Sequence, residues 1–211
     1  LPPFQAWWLD RNDIDQAACK AALICNKQSR RLAGFIFHFQ RATMHTTSST
    51  PVTPTLHLVC GKIASGKSTL TSQLAQAPHT VRISEDSLLM QLYPGQIASL
   101  ADYVACAARL RTAIAPLCLQ MLQAGVSVVL DFPANTPASR AWMRELFQQA
   151  GVPHVLHYLD VTDEECKARL RQRNDSGLHP FSTSDAQFDE ITRHFVPPQA
   201  SEGFDIVRIA A

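Results

Sequence analysis

Leu56 to Leu70 reads LHLVCGKIASGKSTL, a short apolar run that meets the spacing G-x-x-x-x-G-K-[ST]. Leu56, Leu58 and Val59 have the pattern of a buried strand, and Leu70 and Leu74 begin a helical stripe. The loop between them must turn sharply. Gly61 and Gly66 permit backbone angles that a side chain resists, so the amides of Gly61, Lys62, Ala64, Ser65 and Gly66 can face inward around phosphate oxygens. Lys67 then supplies a point charge to the β- and γ-phosphates, Ser68 a hydroxyl for Mg²⁺, and Thr69 is placed to hydrogen-bond the α-phosphate. The helix that opens after Gly66 aims its positive end at the same place. A plain Gly/Ser turn between core elements would leave Lys67 without a purpose.

Around this motif the chain has 211 residues, 46% hydrophobic and 18% charged, which suits one globular α/β domain with a full core. The net charge of +1 gives no strong field for nucleic acid or an anionic membrane, so small solutes are the expected partners. The six cysteines, Cys19, Cys25, Cys60, Cys106, Cys118 and Cys166, contain no C-x-x-C pair and no Cys/His cluster with zinc spacing. They read as buried, reduced thiols of a cytoplasmic protein. No run approaches the ~18 apolar residues of a membrane span.

Residues 1–43 differ from the rest, mixing WW, a C-x-x-x-x-x-C spacing and GFIFHF without sustained periodicity. Met44 and the polar tract HTTSSTPVTPT follow, so Met44 is expected to be the natural start and residues 1–43 an atypical extension outside the domain at 44–211. Two alternatives stay open: a helix over 13–32 that docks on the domain, and a targeting peptide, which Asp10, Asp13 and Asp15 oppose.

Beyond the motif, Thr80 to Ser84 reads as a second strand that ends in Glu85 and Asp86. Ligands of open parallel sheets bind at the strands' C-terminal ends, which puts Asp86 on the same rim as the phosphate loop; the alternative is a helix N-cap. A long helical pattern over 98–123 contains Pro116, expected to kink it, and carries Tyr103 and Arg109 as weak candidates for a cleft. Val126 to Leu130 is a third strand ending in Asp131, which suits a carboxylate holding Mg²⁺ through a water. A helix over 138–149 carries Arg140, either a cation reaching the site or an exposed helical arginine. His154 to Leu159 is a fourth strand, and Thr162 or Asp163 caps the helix after it. That helix ends in Arg169, Arg171 and Arg173 before a loop at Asn174 to Phe181, which reads as a lid closing positive charge over a triphosphate. A helix over 184–195 leads to Pro197-Pro198, and Phe204 to Ile209 is a fifth strand. The fold expected is α/β, a three-layer P-loop NTPase with a five-stranded parallel sheet.

The segments GKIASGKST, SEDSLLMQLYP, VVLDFPANTPASR, LHYLDVTDEECKARLRQRN and FDEITRHFVPP together resemble the kinase-type P-loop NTPases grouped as AAA-family ATP-binding proteins. Within that group the chain looks like chloramphenicol phosphotransferase, zeta-toxin-type kinases and polynucleotide kinase. The resemblance covers Thr55 to Ile209. It implies that Asp86 is the general base on a substrate hydroxyl, that Arg169 and Arg173 belong to the lid, and that Pro197 lines the adenine pocket. Other P-loop classes fit worse: there is no N-K-x-D base reader, and D-F-P-A stands where a GTPase has D-x-x-G.

The function expected is therefore ATP- and Mg²⁺-dependent transfer of the γ-phosphate to a hydroxyl of a small molecule, by a monomer or weak homodimer. In that scheme Lys67, Asp86, Arg169 and Arg173 are catalytic, and Ser68 and Asp131 hold the metal. The alternatives are a 5′-hydroxyl polynucleotide kinase, which would need a basic groove with interleaved aromatics, and an ATP-binding regulator with little phosphotransfer.

Overall fold

In the computed structural model residues 53–176 and 183–210 are described. The strands are β1 (Leu56–Cys60), β2 (Thr80–Ser84), β3 (Ser127–Pro133), β4 (His154–Asp160) and β5 (Ile206–Ala210). The helices are α1 (Lys67–Leu74), α2 (Glu85–Leu92), α3 (Leu100–Gln123), α4 (Pro137–Ala150), α5 (Asp163–Ser176) and α6 (Asp185–Thr192), with a 3₁₀ turn at Ala200–Glu202. The expected extension at 1–43 and its boundary at Met44 lie outside the described residues, as does most of the predicted lid loop.

Each strand leads into a helix before the next strand, so every strand pair is parallel, in the order β2-β3-β1-β4-β5. This is the expected five-stranded α/β fold. Leu56, Leu58 and Cys60 of β1, with Val128, Leu130 and Phe132 of β3, face one core closed by Leu89 of α2, Cys106 and Leu110 of α3, and Met143 of α4. The other sheet face packs Leu159 against Cys166 and Leu170 of α5 and Phe188 of α6, with Ile63, Ala64 and Leu70 of the phosphate loop and α1 joining them. α1 follows β1 on one face and α4 follows β3 on the other, so the chain leaves these adjacent strands in opposite directions, the position at which open α/β sheets bind ligands.

Local chemistry sets the helix boundaries. Ser99 and Asp102 form a reciprocal capping box at the start of α3, Thr136 and Ser139 do so at α4, and Ser184 and Gln187 at α6. Gly151 ends α4 in the left-handed conformation, φ 66°. Pro116 lies inside α3, which is one helix from Leu100 to Gln123. Two details depart from the sequence reading. The cap of α2 is Ser84, whose hydroxyl accepts from Ser87 N, so Asp86 is not the cap. β3 continues past Asp131 to Pro133, because a register shift beside Leu58 and Val59 gives it residues that β1 does not match one for one.

Candidate phosphate-transfer site

At the end of β1 the chain turns at Gly61, φ 156°, passes Ala64 at φ 60°, and starts α1 at Gly66, φ 102°. A Cβ on Gly61 would lie 2.6 Å from Ser65 Oγ and 3.0 Å from Leu159 O, so only glycine fits there. Positive φ at Ala64, rare for a residue with a side chain, marks how tightly the loop is wound. Gly61 N donates to Asn135 Oδ1 at 3.0 Å, fastening the loop to the segment after β3.

Lys67 curls back under the loop and donates to Gly61 O at 2.7 Å and Lys62 O at 2.6 Å. Burial pulls its ammonium down to about 8, against the opposing pull of Cys60, Asp131, Cys166 and Asp86. Ser68 and Thr69 are exposed at the first turn of α1. Ser65 Oγ, by contrast, is buried and has no hydrogen-bond partner among the described residues. Lys62 turns away: its Nζ donates to Val161 O at 3.2 Å and pairs with Asp163, so only its backbone belongs to the loop.

Asp86 is exposed in the first turn of α2 and lies within electrostatic reach of both Lys67 and Arg173. Its neighbour Glu85 is a different kind of acid. Fully buried, Glu85 accepts from Tyr103 Oη at 2.7 Å and from Arg111 at 3.3 Å, and burial holds its carboxyl above the usual range. Tyr103 therefore ties α3 to the start of α2, while Arg109 is exposed on the far side of the helix.

Asp131 is mostly buried and paired with Arg82 of β2. Its field still reaches Lys67. On α5, Arg169 donates to Ser65 O at 3.3 Å and pairs with Glu165, so it touches the phosphate loop directly. Arg173 lies one turn further along the same face. Arg171 does not belong with them. Two residues from Arg169 on the helix, it points the other way and pairs with Asp185 of α6 at 2.6 Å.

Arg140 is neither an exposed helical residue nor a cation reaching into the site. It is fully buried, with Nε and Nη2 on the two Glu202 oxygens at 2.6 and 2.9 Å, and Nη1 on Ala134 O and Val196 O at 2.9 Å each. Val196 N in turn donates to Asn135 O at 2.9 Å. Exposed Pro197 is thus held next to a segment that also anchors Gly61. Asn135, Arg82 and Glu202 had no signal in the sequence, since each acts through a partner distant along the chain, and Glu85 was visible there only as an acid at a strand end, not as a buried one.

A family model described as an AAA domain matches residues 56–198. This chain belongs to that family. Solved structures agree on the fold of this AAA domain at low identity. A Chloroflexus aurantiacus protein assigned as a kinase superposes with a TM-score of 0.60 at 21% identity, covering 75% of this chain and 85% of that one. Kti12 of Chaetomium thermophilum, in complex with ADP-AlF₃, gives 0.56 at 17% identity, covering 74% and 88%. A sugar kinase from Janibacter sp. HTCC2649 gives 0.51 at 18% identity, covering 75% and 86%. The AAA domain here is of the kinase-type P-loop fold. No curated protein matches the sequence, and no helix among the described residues is long and apolar enough to cross a membrane.

Proposed function

We propose that this chain is an ATP- and Mg²⁺-dependent phosphotransferase that moves the γ-phosphate of ATP to a hydroxyl of a small molecule. The observation that carries the reading is the placing of Lys67 and Asp86 within each other's field, the lysine under a wound loop and the carboxylate exposed on α2. That nearness supports reading the loop as a cradle for a triphosphate and Asp86 as an acid able to take a proton.

The residues fit the nucleotide. Gly61 occupies a position that any Cβ would fill, and the buried Ser65 hydroxyl in the same loop lacks a partner among the described residues. The loop from Gly61 to Thr69 would hold the phosphates, with Pro197 beside the base. No three His, Cys, Asp or Glu side chains gather into a metal cluster among the described residues. Mg²⁺ needs no such cluster, since it keeps several waters and shares phosphate oxygens; here Ser68 would hold it by its hydroxyl and Asp131 through a water. When bound, the ion neutralises charge on the transferring group.

In the reaction a bond forms from the acceptor oxygen to the γ-phosphorus, and the bond from that phosphorus to the β–γ bridging oxygen breaks, releasing ADP. Asp86 accepts the hydroxyl proton as the oxygen attacks. Lys67 and, from α5, Arg169 and Arg173 meet charge on the equatorial oxygens.

The kinase activities named for the sugar kinase above, and for an APS kinase of Mycobacterium tuberculosis solved with AMPPNP and APS, are of the same kind. A screen of radiolabelled γ-phosphate transfer against hydroxyl-bearing antibiotics, nucleotide sugars, nucleosides and oligonucleotides tests the proposal. Label in a small-molecule ester supports it, label confined to oligonucleotides replaces it with a polynucleotide kinase, and release of inorganic phosphate alone with every acceptor overturns it.

A further inference from the structure

Resting on the phosphotransferase reading, we propose that the acceptor carries an anionic group, a carboxylate or phosphate, which Arg82 reads in a cavity beside Asp86. The cavity holds about 340 Å³ and is lined by Arg82, Ile83, Ser84, Ser87 and Leu88, a size within the range of small-molecule sites. Ser84 and Ser87 flank Glu85 and Asp86 in the sequence, so the cavity opens at the same helical turn that presents the proposed base.

Arg82 is the cationic residue in its lining. One guanidinium nitrogen, Nη2, goes to Asp131 Oδ2, which holds the planar head in place. Its Nε is buried and has no acceptor among the described residues. A buried guanidinium donor normally finds an acceptor, and arginine binds a carboxylate or phosphate through two parallel N–H bonds where lysine offers only a point charge. Asp131 also acts on Lys67, so the Arg82–Asp131 pair joins the cavity to the phosphate loop. An anion seated on Arg82 would thus lie next to the turn that carries Asp86. The hydroxyls of Ser84 and Ser87 and the apolar Ile83 and Leu88 suit a small polyol carrying one charge.

The test uses matched acceptors with the full chain and Mg·ATP: gluconate against glucose for a carboxylate, and ribose 5-phosphate against ribose for a phosphate. In at least one pair the anionic member is expected to exceed its neutral parent by about tenfold or more in kcat/KM. Arg82→Ala should remove that preference through KM, and Arg82→Lys should restore part of it. Ser87→Asp, which puts a negative charge in the cavity, should lower use of the anion by a larger factor than use of the neutral parent, and serves where Arg82→Ala does not fold. Calorimetry with Mg·ATP separates the two readings. No heat from the wild-type chain overturns the kinase reading itself. Normal Mg·ATP binding with no anionic preference in either pair, or a preference that survives Arg82→Ala, overturns this proposal alone. Loss of Mg·ATP affinity in Arg82→Ala with the preference intact assigns Arg82 to Asp131 only, and also overturns it.

Discussion

Lys67 and Arg140 are both cations drawn in behind the C-terminal rim of the sheet, and they are held in opposite ways. Arg140 has a carboxylate in place: two bonds to Glu202 and two carbonyls satisfy its fork. Lys67 hydrogen-bonds two carbonyls of its own loop, with the carboxylates of Asp131 and Asp86 acting on it through space. Its lowered pKa, about 8, records the cost of that burial. A buried charge matched by a resident counter-ion joins elements of the fold together. One held mainly by dipoles keeps its attraction for an arriving anion.

The largest expected effect breaks the comparison on the Lys67 side. Lys67→Ala should lower transfer by ~10³-fold and abolish the heat of Mg·ATP binding, while the urea midpoint stays level or rises because an under-compensated buried charge is gone. A clear loss of stability would make Lys67 a strut like Arg140. On the other side, Arg140→Ala should destabilise the fold by about 3 kcal/mol in urea unfolding, since Glu202 and two carbonyls lose their donor together. Little change there would mean that the clamp is not structural.

Asp86→Asn sharpens the assignment of the base. Transfer should fall by ~10²-fold with Mg·ATP affinity within about threefold of wild type; unchanged turnover would remove Asp86 from the chemistry.

Proton linkage supplies a smaller effect. Between pH 8 and the unfolded lysine value near 10.4, the unfolded chain keeps a proton that folded Lys67 has lost. The penalty on stability from Lys67 is therefore full below pH 8 and is relieved as pH rises through that window. Nucleotide affinity runs the other way, falling by up to about tenfold per pH unit above 8 as the cation is lost. Calorimetry at pH 7, 8 and 9 checks this, and a flat profile would mean that Lys67 stays charged.

The smallest effect belongs to the second buried network. Tyr103→Phe removes one of the donors to Glu85 and should cost about 1 kcal/mol of stability. A larger loss of transfer than of stability in the same variant would show that Glu85 positions Asp86.

The phosphate loop was legible in advance because its chemistry is backbone chemistry confined to nine consecutive residues, where glycine spacing alone dictates the turn. The strand at Thr80 to Ser84 was legible in the same way, from a run of suitable residues ending in acids. Arg171 was misgrouped with Arg169 and Arg173 because a cluster in sequence is split by the 100° step between helical residues; its partner Asp185 belongs to another helix. Arg140 was misread for a related reason. Whether a helical arginine faces solvent depends on what packs over it, and Glu202 lies 62 residues away.

From the chain alone came the order of strands and helices, the phosphate loop with Lys67, and the acid at the end of the second strand, since all of these rest on periodicity and short fixed spacings. Tertiary structure decided which acid is buried and which exposed at Glu85-Asp86, which arginine meets the loop, and that Arg140, Glu202 and Asn135 brace it. Those outcomes depend on contacts between residues far apart in sequence, where burial and the nearest opposite charge set what a side chain can do.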